Sequence, residues 1–367
     1  MSVPLVSVLL PVYNGEPYLA AALESVLRQD YERLEVIAID DGSTDRSLYI
    51  LRRYQEADGR LRVVSRENRG LIATLNEGMT LAKGELIARM DADDIAYPTR
   101  FSRQIALFQE QPRLGISGTG VDRLIGDRVV RGTPNPIHRS ADWHVLSMFY
   151  TVFMHSTVMY NRNVIPADML TYDPTYVHAE DFDLFRRITR EFPAAMIDES
   201  LVAYRVHDES VTNKHRRPMR RTHLKIAAEN LQRESLIDDP DAFLAIGTTV
   251  TPDTVRRVAD CLLSIEGRIT ARGMRSSASH EEGLMCFFYF LYQLIADEKQ
   301  PGLTHQFLTQ TDKWHRIRRR ERYGLRAATH APWCSRLWSD ASLRLDALAR
   351  YRQSVPARSV LPLQGLT

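Results

Sequence analysis

The sequence predicts an α/β fold: a mostly parallel sheet flanked by helices, followed by a helical C-terminal extension. Three observations carry this. Val6–Val12 and Leu34–Asp40 are continuous apolar runs, the mark of parallel strands covered on both faces. They alternate with stretches whose apolar residues recur at helical spacing, which is the βαβ pattern of a parallel sheet. Beyond Val211 the pattern becomes mostly helical.

Taken in order, Val6–Val12 leads to Leu19, Leu23, Val26 and Leu27, a helix with Pro17 expected in its first turn. After Leu34–Asp40, the run Asp41-Gly42-Ser43-Thr44 reads as a turn and cap before a helix over Ser47–Tyr54. Leu61–Ser65 is a third strand. Leu71, Leu75, Met79 and Ala82 then form a helix expected to end at Gly84. Leu86–Met90 is a fourth strand and runs straight into Asp91-Ala92-Asp93-Asp94. From about Gly115 to Arg205 the pattern loosens. Ile116–Gly120, a hairpin over Val121–Val130 turning at Gly126-Asp127, and Ser156–Tyr160 are strand candidates, and Asp183–Glu191 is a short helix. Met219–Ser235, Thr254–Arg272 and Glu281–Glu298 follow as helices. We therefore expect an α/β domain over residues 1–212, divided near residue 115 into 1–115 and 116–212, and an extension over 213–367.

Composition narrows the setting. With 44% hydrophobic and 26% charged residues, the 367-residue chain reads as an ordinary globular protein. Cys261, Cys286 and Cys334 are widely spaced and form no CxxC pair, which argues against a disulfide framework or a zinc site and fits a reducing compartment. The N-terminal run lacks a basic leader region and a cleavage site. The apolar stretch Leu284–Ile295 is shorter than the roughly 20 residues a spanning helix needs. The expected location is cytoplasmic, at most peripheral on a membrane surface. Charge is unevenly spread: residues 313–358 hold twelve Lys/Arg against three Asp/Glu, leaving 36 against 43 elsewhere.

The chemistry begins with carboxylates at strand ends. In open parallel sheets, ligands bind beyond the carboxyl ends of the strands, so Asp40/Asp41 and Asp91–Asp94 should meet in one crevice. Asp91, Asp93 and Asp94 repel one another unless a cation intervenes, and hard Mg²⁺ or Mn²⁺ accepts such oxygen ligands. Taken alone, the same cluster reads equally well as a solvated acidic turn. Asp41 alone reads as a turn or cap carboxylate and Arg69 as a solvated loop charge.

The ordered set of motifs is more specific. Leu10-Pro11-Val12-Tyr13-Asn14-Gly15, Asp40-Asp41-Gly42-Ser43-Thr44-Asp45, Asn68-Arg69-Gly70, Asp91-Ala92-Asp93-Asp94, His155-Ser156-Thr157, Ala179-Glu180-Asp181 and Tyr204-Arg205-Val206-His207 together resemble the family 2 glycosyltransferases. These are inverting enzymes of GT-A fold, and the resemblance covers about residues 4–210. It implies that Pro11, Val12 and Tyr13 line the nucleotide base, and that Asp41 accepts a hydrogen bond from a ring N–H of uracil or thymine. It further implies that Arg69 holds the base or diphosphate, and that Asp91 and Asp93 contact the ribose and the metal. Asp94 would be a further ligand or sugar contact, and His207 would reach the metal or diphosphate. By the same resemblance Asp181 is the general base, a carboxylate on the face opposite the leaving diphosphate. Glu180 orients that loop or touches a sugar. For Asp181 the plain alternative is a helix N-terminal charge; for His155 the choices are support of the acceptor pocket or a strand-end hydrogen bond.

The implied reaction moves one sugar from a UDP- or dTDP-sugar to a hydroxyl of a glycan or lipid-linked glycan, with Mn²⁺ or Mg²⁺ as cofactor. Processive members carry QxxRW and spanning helices; Gln310-Thr311-Asp312-Lys313-Trp314 has the wrong spacing, so a single-addition enzyme is expected. A sugar nucleotidyltransferase would need a Gly-rich loop where LPVYNG stands, and a non-catalytic glycan-binding relative would not need every acid retained. No GxxxxGK[ST], HExxH or complete GxGxxG is present. The basic, aromatic tail (Trp314, Arg316, Arg318–Arg320, Arg322, Tyr323, Trp333, Arg336, Trp338) suits contact with anionic lipid or a lipid-diphosphate acceptor, or else a solvated helix face whose tryptophans pack against the catalytic domain. Nucleic acid has little behind it beyond charge.

Overall fold

The computed structural model describes residues 3–132, 141–207, 215–274, 277–330 and 354–356. Within those limits the chain forms two units. Residues 3–144, 151–207 and 354–356 make the first, and residues 145–150 and 215–330 the second. The segment Trp333–Trp338 of the basic tail, Cys334 and the expected boundary at residue 212 lie outside the described residues.

The first unit is built on one sheet. Strands β1 (Val6–Val12), β2 (Leu34–Asp41), β3 (Leu61–Arg66) and β4 (Leu86–Arg89) run parallel in the order β4-β1-β2-β3. Beyond β4 come β8 (Met159–Asn161), β6 (Ile116–Ile125), β7 (Arg128–Val130) and β10 (Ser354–Pro356), joined by antiparallel pairing. The thirteen-residue β9 (Ala194–Val206) runs parallel to β6 and also pairs with the short β5 (Ile95–Ala96).

Helices cover both faces of β1, β2 and β4, which is why those strands carry no alternation, whereas β3 at the sheet edge alternates. Val6, Val8, Leu10 and Val12 pack with Leu19 and Leu23 of α1 (Leu19–Leu27), Leu51 of α2 (Ser47–Ala57) and Phe101 and Ile105 of α4 (Arg100–Glu110). On the other side α3 (Leu71–Leu81) lies so close that a Cβ on Gly78 would sit 3.2 Å from Leu9 Cδ2.

Several boundaries differ from expectation, each for a local reason. Pro17 lies in the turn before α1, where the N–H groups of Tyr18 and Leu19 both reach the Gly15 carbonyl. Helix α3 stops at Leu81 with Ala82 extended, so Gly84 is not its cap. Gly84 is needed because a Cβ there would stand 2.6 Å from Ser7 N and 2.7 Å from Leu5 O. Ile116–Gly120 and the first half of the expected hairpin are one strand, β6, turning at Gly126 with φ +58°. Ser156–Tyr160 divides into a 3₁₀ turn at His155–Thr157 and β8. Helix α6 spans Glu180–Glu191, so Glu180 and Asp181 belong to its first turn rather than to a loop before it.

The second unit is helical. Helices α7 (Arg216–Arg233), α8 (Asp241–Thr248), α9 (Pro252–Ala271), α10 (Ala278–Ala296), α11 (Pro301–Gln310) and α12 (Arg319–His330) surround a core that includes Phe243, Phe287, Phe288 and Phe307. Helix α9 starts at a reciprocal capping box between Thr251 and Thr254, with Pro252 in the first turn. Residues 145–150, whose first three close the short helix α5 (Trp143–Ser147), belong to this unit: a Cβ on Gly283 would meet Phe149 at 2.4 Å. Among the described residues, no helix is long and apolar enough to cross a membrane.

Candidate active site

Because β1 lies between β2 and β4, the loops that follow all three strands share one edge. The register pairs Val12 with Asp40 and Leu9 with Arg89, so Tyr13–Gly15, Asp41–Asp45 and Asp91–Asp94 emerge side by side. The first two loops are laced together. Asn14, in the left-handed region at φ +50°, accepts from Thr44 N–H at 2.8 Å and gives its own N–H to Ser43 Oγ at 3.0 Å. Gly15 N–H donates to Ser47 Oγ at 2.8 Å, and Glu16 N–H to Asp45 Oδ2 at 3.0 Å. Toward the third loop, a Cβ on Gly15 would lie 3.5 Å from Ala92 Cβ.

Asp41 organises the loop that follows β3. Its Oδ1 accepts from Arg69 N–H at 2.8 Å and is ion-paired to Arg66, while Oδ2 accepts from Gly70 N–H at 3.0 Å. A carboxylate offers about four acceptor positions, so one remains. Gly42 makes this approach feasible: its φ is +74°, and a Cβ would fall 2.7 Å from Asn68 N. Tyr13 is 56% exposed, and the Arg69 side chain is exposed. Pro11 is half-buried, whereas the Val12 side chain is turned into the core, leaving only its backbone at the edge.

Asp91, Asp93 and Asp94 form the cluster at the next strand end, with one oxygen of each within 4.8 Å of the others. The loop is gripped from β9. Arg205 N–H donates to Asp94 Oδ1 at 2.8 Å, its Nε donates to the Asp93 carbonyl at 2.7 Å, and its guanidinium lies 4.4 Å over the Tyr18 ring. His207 Nε2 is 2.9 Å from Asp93 Oδ2. Asp94 is fully buried. Its Oδ2 has no hydrogen bond among the described residues, and neither has the nearby Ser156 hydroxyl. Burial, then the charges of Asp91 and Asp93, push the Asp94 carboxyl well above the usual carboxylate range. Burial also raises Asp91, against the pull of Arg89.

Two guanidiniums lie beneath this cluster. Arg89, only 2% exposed at the end of β4, is ion-paired to Asp91. Burial works against its charge, but Asp91, Tyr172 and Asp94 outweigh that and raise it. Arg100 donates to the carbonyls of Arg89 at 2.9 Å and Val158 at 3.3 Å, and burial lowers it to about 9.

The second acid group stands on α6. Asp181 Oδ1 accepts from Phe182 N–H at 2.7 Å, and its charge is felt at Asp91. Glu180 is 6% exposed, and burial together with the Asp181 charge raises it to about 7. Asp183 is taken up by Arg186 and Arg187 at 2.9 Å each. His155 Nε2 pairs with Tyr172 Oη at 2.9 Å, and Tyr172 in turn with Tyr160 at 3.2 Å. Burial and then Arg89 hold the His155 imidazole well below its usual value, so it is neutral.

Asn14, Arg89, Tyr172 and Arg205 were not singled out from the sequence as site residues. A cation inside the apolar strand Leu86-Ile87-Ala88-Arg89 was the available signal for Arg89, since a buried guanidinium requires a partner. Tyr172 had none.

A strand edge with laced loops, an acidic cluster and a second acid pair on a separate helix defines an α/β transferase of GT-A fold. Comparison with known proteins agrees. Residues 7–166 match the model of glycosyl transferase family 2. An uncharacterized glycosyltransferase of Haemophilus influenzae is 31% identical over 238 residues, 62% of this chain and 73% of that protein. Among solved structures, TarS of S. aureus in complex with UDP-GlcNAc aligns with TM-score 0.53 at 16% identity, covering 85% of this chain and 92% of that one. The mannosyltransferase PcManGT from Pyrobaculum calidifontis, in complex with GDP-Man and Mn²⁺, aligns with TM-score 0.52 at 19% identity, covering 82% and 88%. The chain belongs to glycosyl transferase family 2.

Proposed function

We propose that this glycosyltransferase moves one sugar from a UDP- or dTDP-sugar to a hydroxyl of a glycan or lipid-linked glycan, inverting the anomeric centre, with Asp181 as general base. The observation that carries this reading is the meeting of Asp181, from α6, with the Asp91–Asp94 cluster, from β4, at one end of the sheet. A displacement needs both: charge control where the diphosphate leaves, and a proton acceptor where the hydroxyl attacks. Tyr13, the backbone of Pro11 and Val12, and Arg69 border the base. The fourth acceptor position of Asp41 suits a ring N–H. TarS and PcManGT share the fold with different nucleotides, so the base is chosen by such local contacts and not by architecture.

Asp93 and Asp94, with His207 beside Asp93, fit a divalent cation. The donors are hard oxygens converging within 4.8 Å, and the buried Asp94 Oδ2 lacks a hydrogen bond among the described residues. When bound, Mn²⁺ or Mg²⁺ supplies positive charge against the leaving diphosphate. Asp91, braced by Arg89, faces the ribose. Asp181 takes the proton of the acceptor hydroxyl as its oxygen bonds to the anomeric carbon and the bond to the diphosphate oxygen breaks. Glu180, protonated near neutrality, donates a hydrogen bond to a sugar instead of competing as a base.

The test is release of UDP or dTDP from a donor panel, with and without Mn²⁺. Asp181→Asn should lower acceptor-dependent release by about 10²–10⁴-fold while donor still raises the Tm. Unchanged turnover in a folded Asp181→Asn variant removes the base assignment. Equal release with and without metal removes the cation.

A further inference from the structure

The helical unit carries a face whose charge its own surroundings offset only in part. Between residues 313 and 325, Lys313, Arg316, Arg318, Arg319, Arg320 and Arg322 are opposed by Glu321 alone. The turn into α12 fixes their direction. Ile317 is 3% exposed and Leu325 packs on the core, so Arg318, Arg319, Arg320 and Tyr323 turn to solvent. Arg319 and Arg320 stand four and three residues before Tyr323, on one side of the helix. Tyr323 is 66% exposed, more than any other large hydrophobic residue described.

The inner cations are accounted for. Lys313 pairs with Glu266 at 3.0 Å, and Arg322 Nη2 donates to the Ile317 carbonyl. Arg316 reaches Glu281 only at 3.8 Å, an exposed pair of the weak kind. Arg319 and Arg320 have no acidic partner among the described residues. Beside Lys313 and Arg316 opens a cleft of about 290 Å³, walled in part by Leu262, Ile269, Leu284 and Met285 and for the rest by Lys313 and Arg316 with their partners Glu266 and Glu281. That is at the small end of ligand pockets. Trp314 packs inward on the same unit's core, its Nε1 donating to Thr309 Oγ1 at 3.2 Å.

We infer that this face docks the protein on an anionic phospholipid bilayer. Arg319 and Arg320 meet the headgroup phosphates, Tyr323 sits at the level of the headgroups, and the apolar wall of the cleft accepts the end of one acyl chain. Clustered cations with an amphipathic aromatic suit the interface of an anionic leaflet. The cleft beside Arg316, with its apolar wall of Leu262, Ile269, Leu284 and Met285, suits a lipid, in which phosphate and hydrocarbon are joined, over a nucleic acid, which carries no hydrocarbon.

The experiment is co-sedimentation of the full chain with vesicles of phosphatidylcholine alone or mixed with phosphatidylglycerol, at about 0.1 M salt. Binding to the anionic vesicles should exceed binding to the neutral ones by about tenfold and fall as salt rises. Arg319→Glu/Arg320→Glu should abolish that excess, and Tyr323→Ala should weaken it about threefold. Both variants should keep the parent Tm and the parent rate on a soluble acceptor, so a failure here is distinct from failure of the catalytic reading. Equal binding to both vesicles, or an unaffected double variant, overturns the inference. So does tighter binding of the same arginines to RNA than to anionic vesicles at matched salt.

Discussion

Asp91, Asp93, Asp94, Glu180 and Asp181 crowd one end of the sheet, and the buried Arg89 is ion-paired to only the first of them. Arg100 donates to backbone carbonyls instead. The charge not offset appears as raised carboxyls. Glu180 is the most informative, since it titrates at about 7 against 4.5 in an ordinary glutamate. Between those values the folded chain holds a proton that the unfolded chain has released, so the native state binds more protons and stability falls as pH rises. The contribution is fully present below about pH 4.5 and is lost as pH climbs through 7. Glu180→Gln is permanently neutral and should remove that slope, gaining about 1–2 kcal/mol over the parent at about pH 8 and little at about pH 5. Urea denaturation of metal-free protein at both pH values measures it; an equal difference at the two would show that Glu180 is ionised throughout.

At the scale of elements, the backbone of β1 and β4 is set by what can pass between them. Gly84 has the N–H of Ser7 and the carbonyls of Leu5 and Leu86 within 2.8 Å of where a Cβ would stand, all of it backbone that cannot swing aside. Gly84→Ala should cost about 3 kcal/mol, whereas Gly59→Ala, with nothing within 4 Å, should change stability by less than about 0.5 kcal/mol. Matched thermal melts would expose an error if the two shifts were alike. Strands β1 and β2 were legible because helices bury both of their faces, leaving an almost unbroken apolar run. Other elements were not, for physical reasons. Helix α4 places Arg100 and Gln104 on its core side, which breaks the apolar spacing. Strand β9 shifts register against β6 on both sides of Gly120, so Asp198 and Glu199 fall out of pairing and no alternation survives. The first turn of α6 is acidic rather than apolar, which suits the positive end of a helix but hides its start. Asp41 and Asp91–Asp94 could be read from their strand-end positions, whereas Glu180 and Asp181, on α6, were reached only through the family resemblance. Tyr172 could not be read, having no motif around it, and Arg205 stood in a quoted motif without a role, because its contacts with Asp93 and Asp94 join segments more than a hundred residues apart.

On the scale of the whole molecule, the described sheet of the first unit ends at β10, where Ser354–Pro356 lies antiparallel to Arg128–Val130. Without it β7 would present open N–H and C=O groups, the usual template for unwanted strand addition. Truncation after residue 353 should lower the Tm by a few degrees, about 1 kcal/mol, and increase light scattering on heating; a truncated chain that stays as monodisperse as the parent would show that β7 needs no cover. The same pairing joins residues more than two hundred positions apart. During synthesis, at roughly 5–20 residues per second, β7 leaves the ribosome roughly 10–45 s before its partner strand exists. The catalytic sheet is therefore finished last at its far edge, and a nascent chain that stalls within the helical unit carries an almost complete transferase with one sticky side.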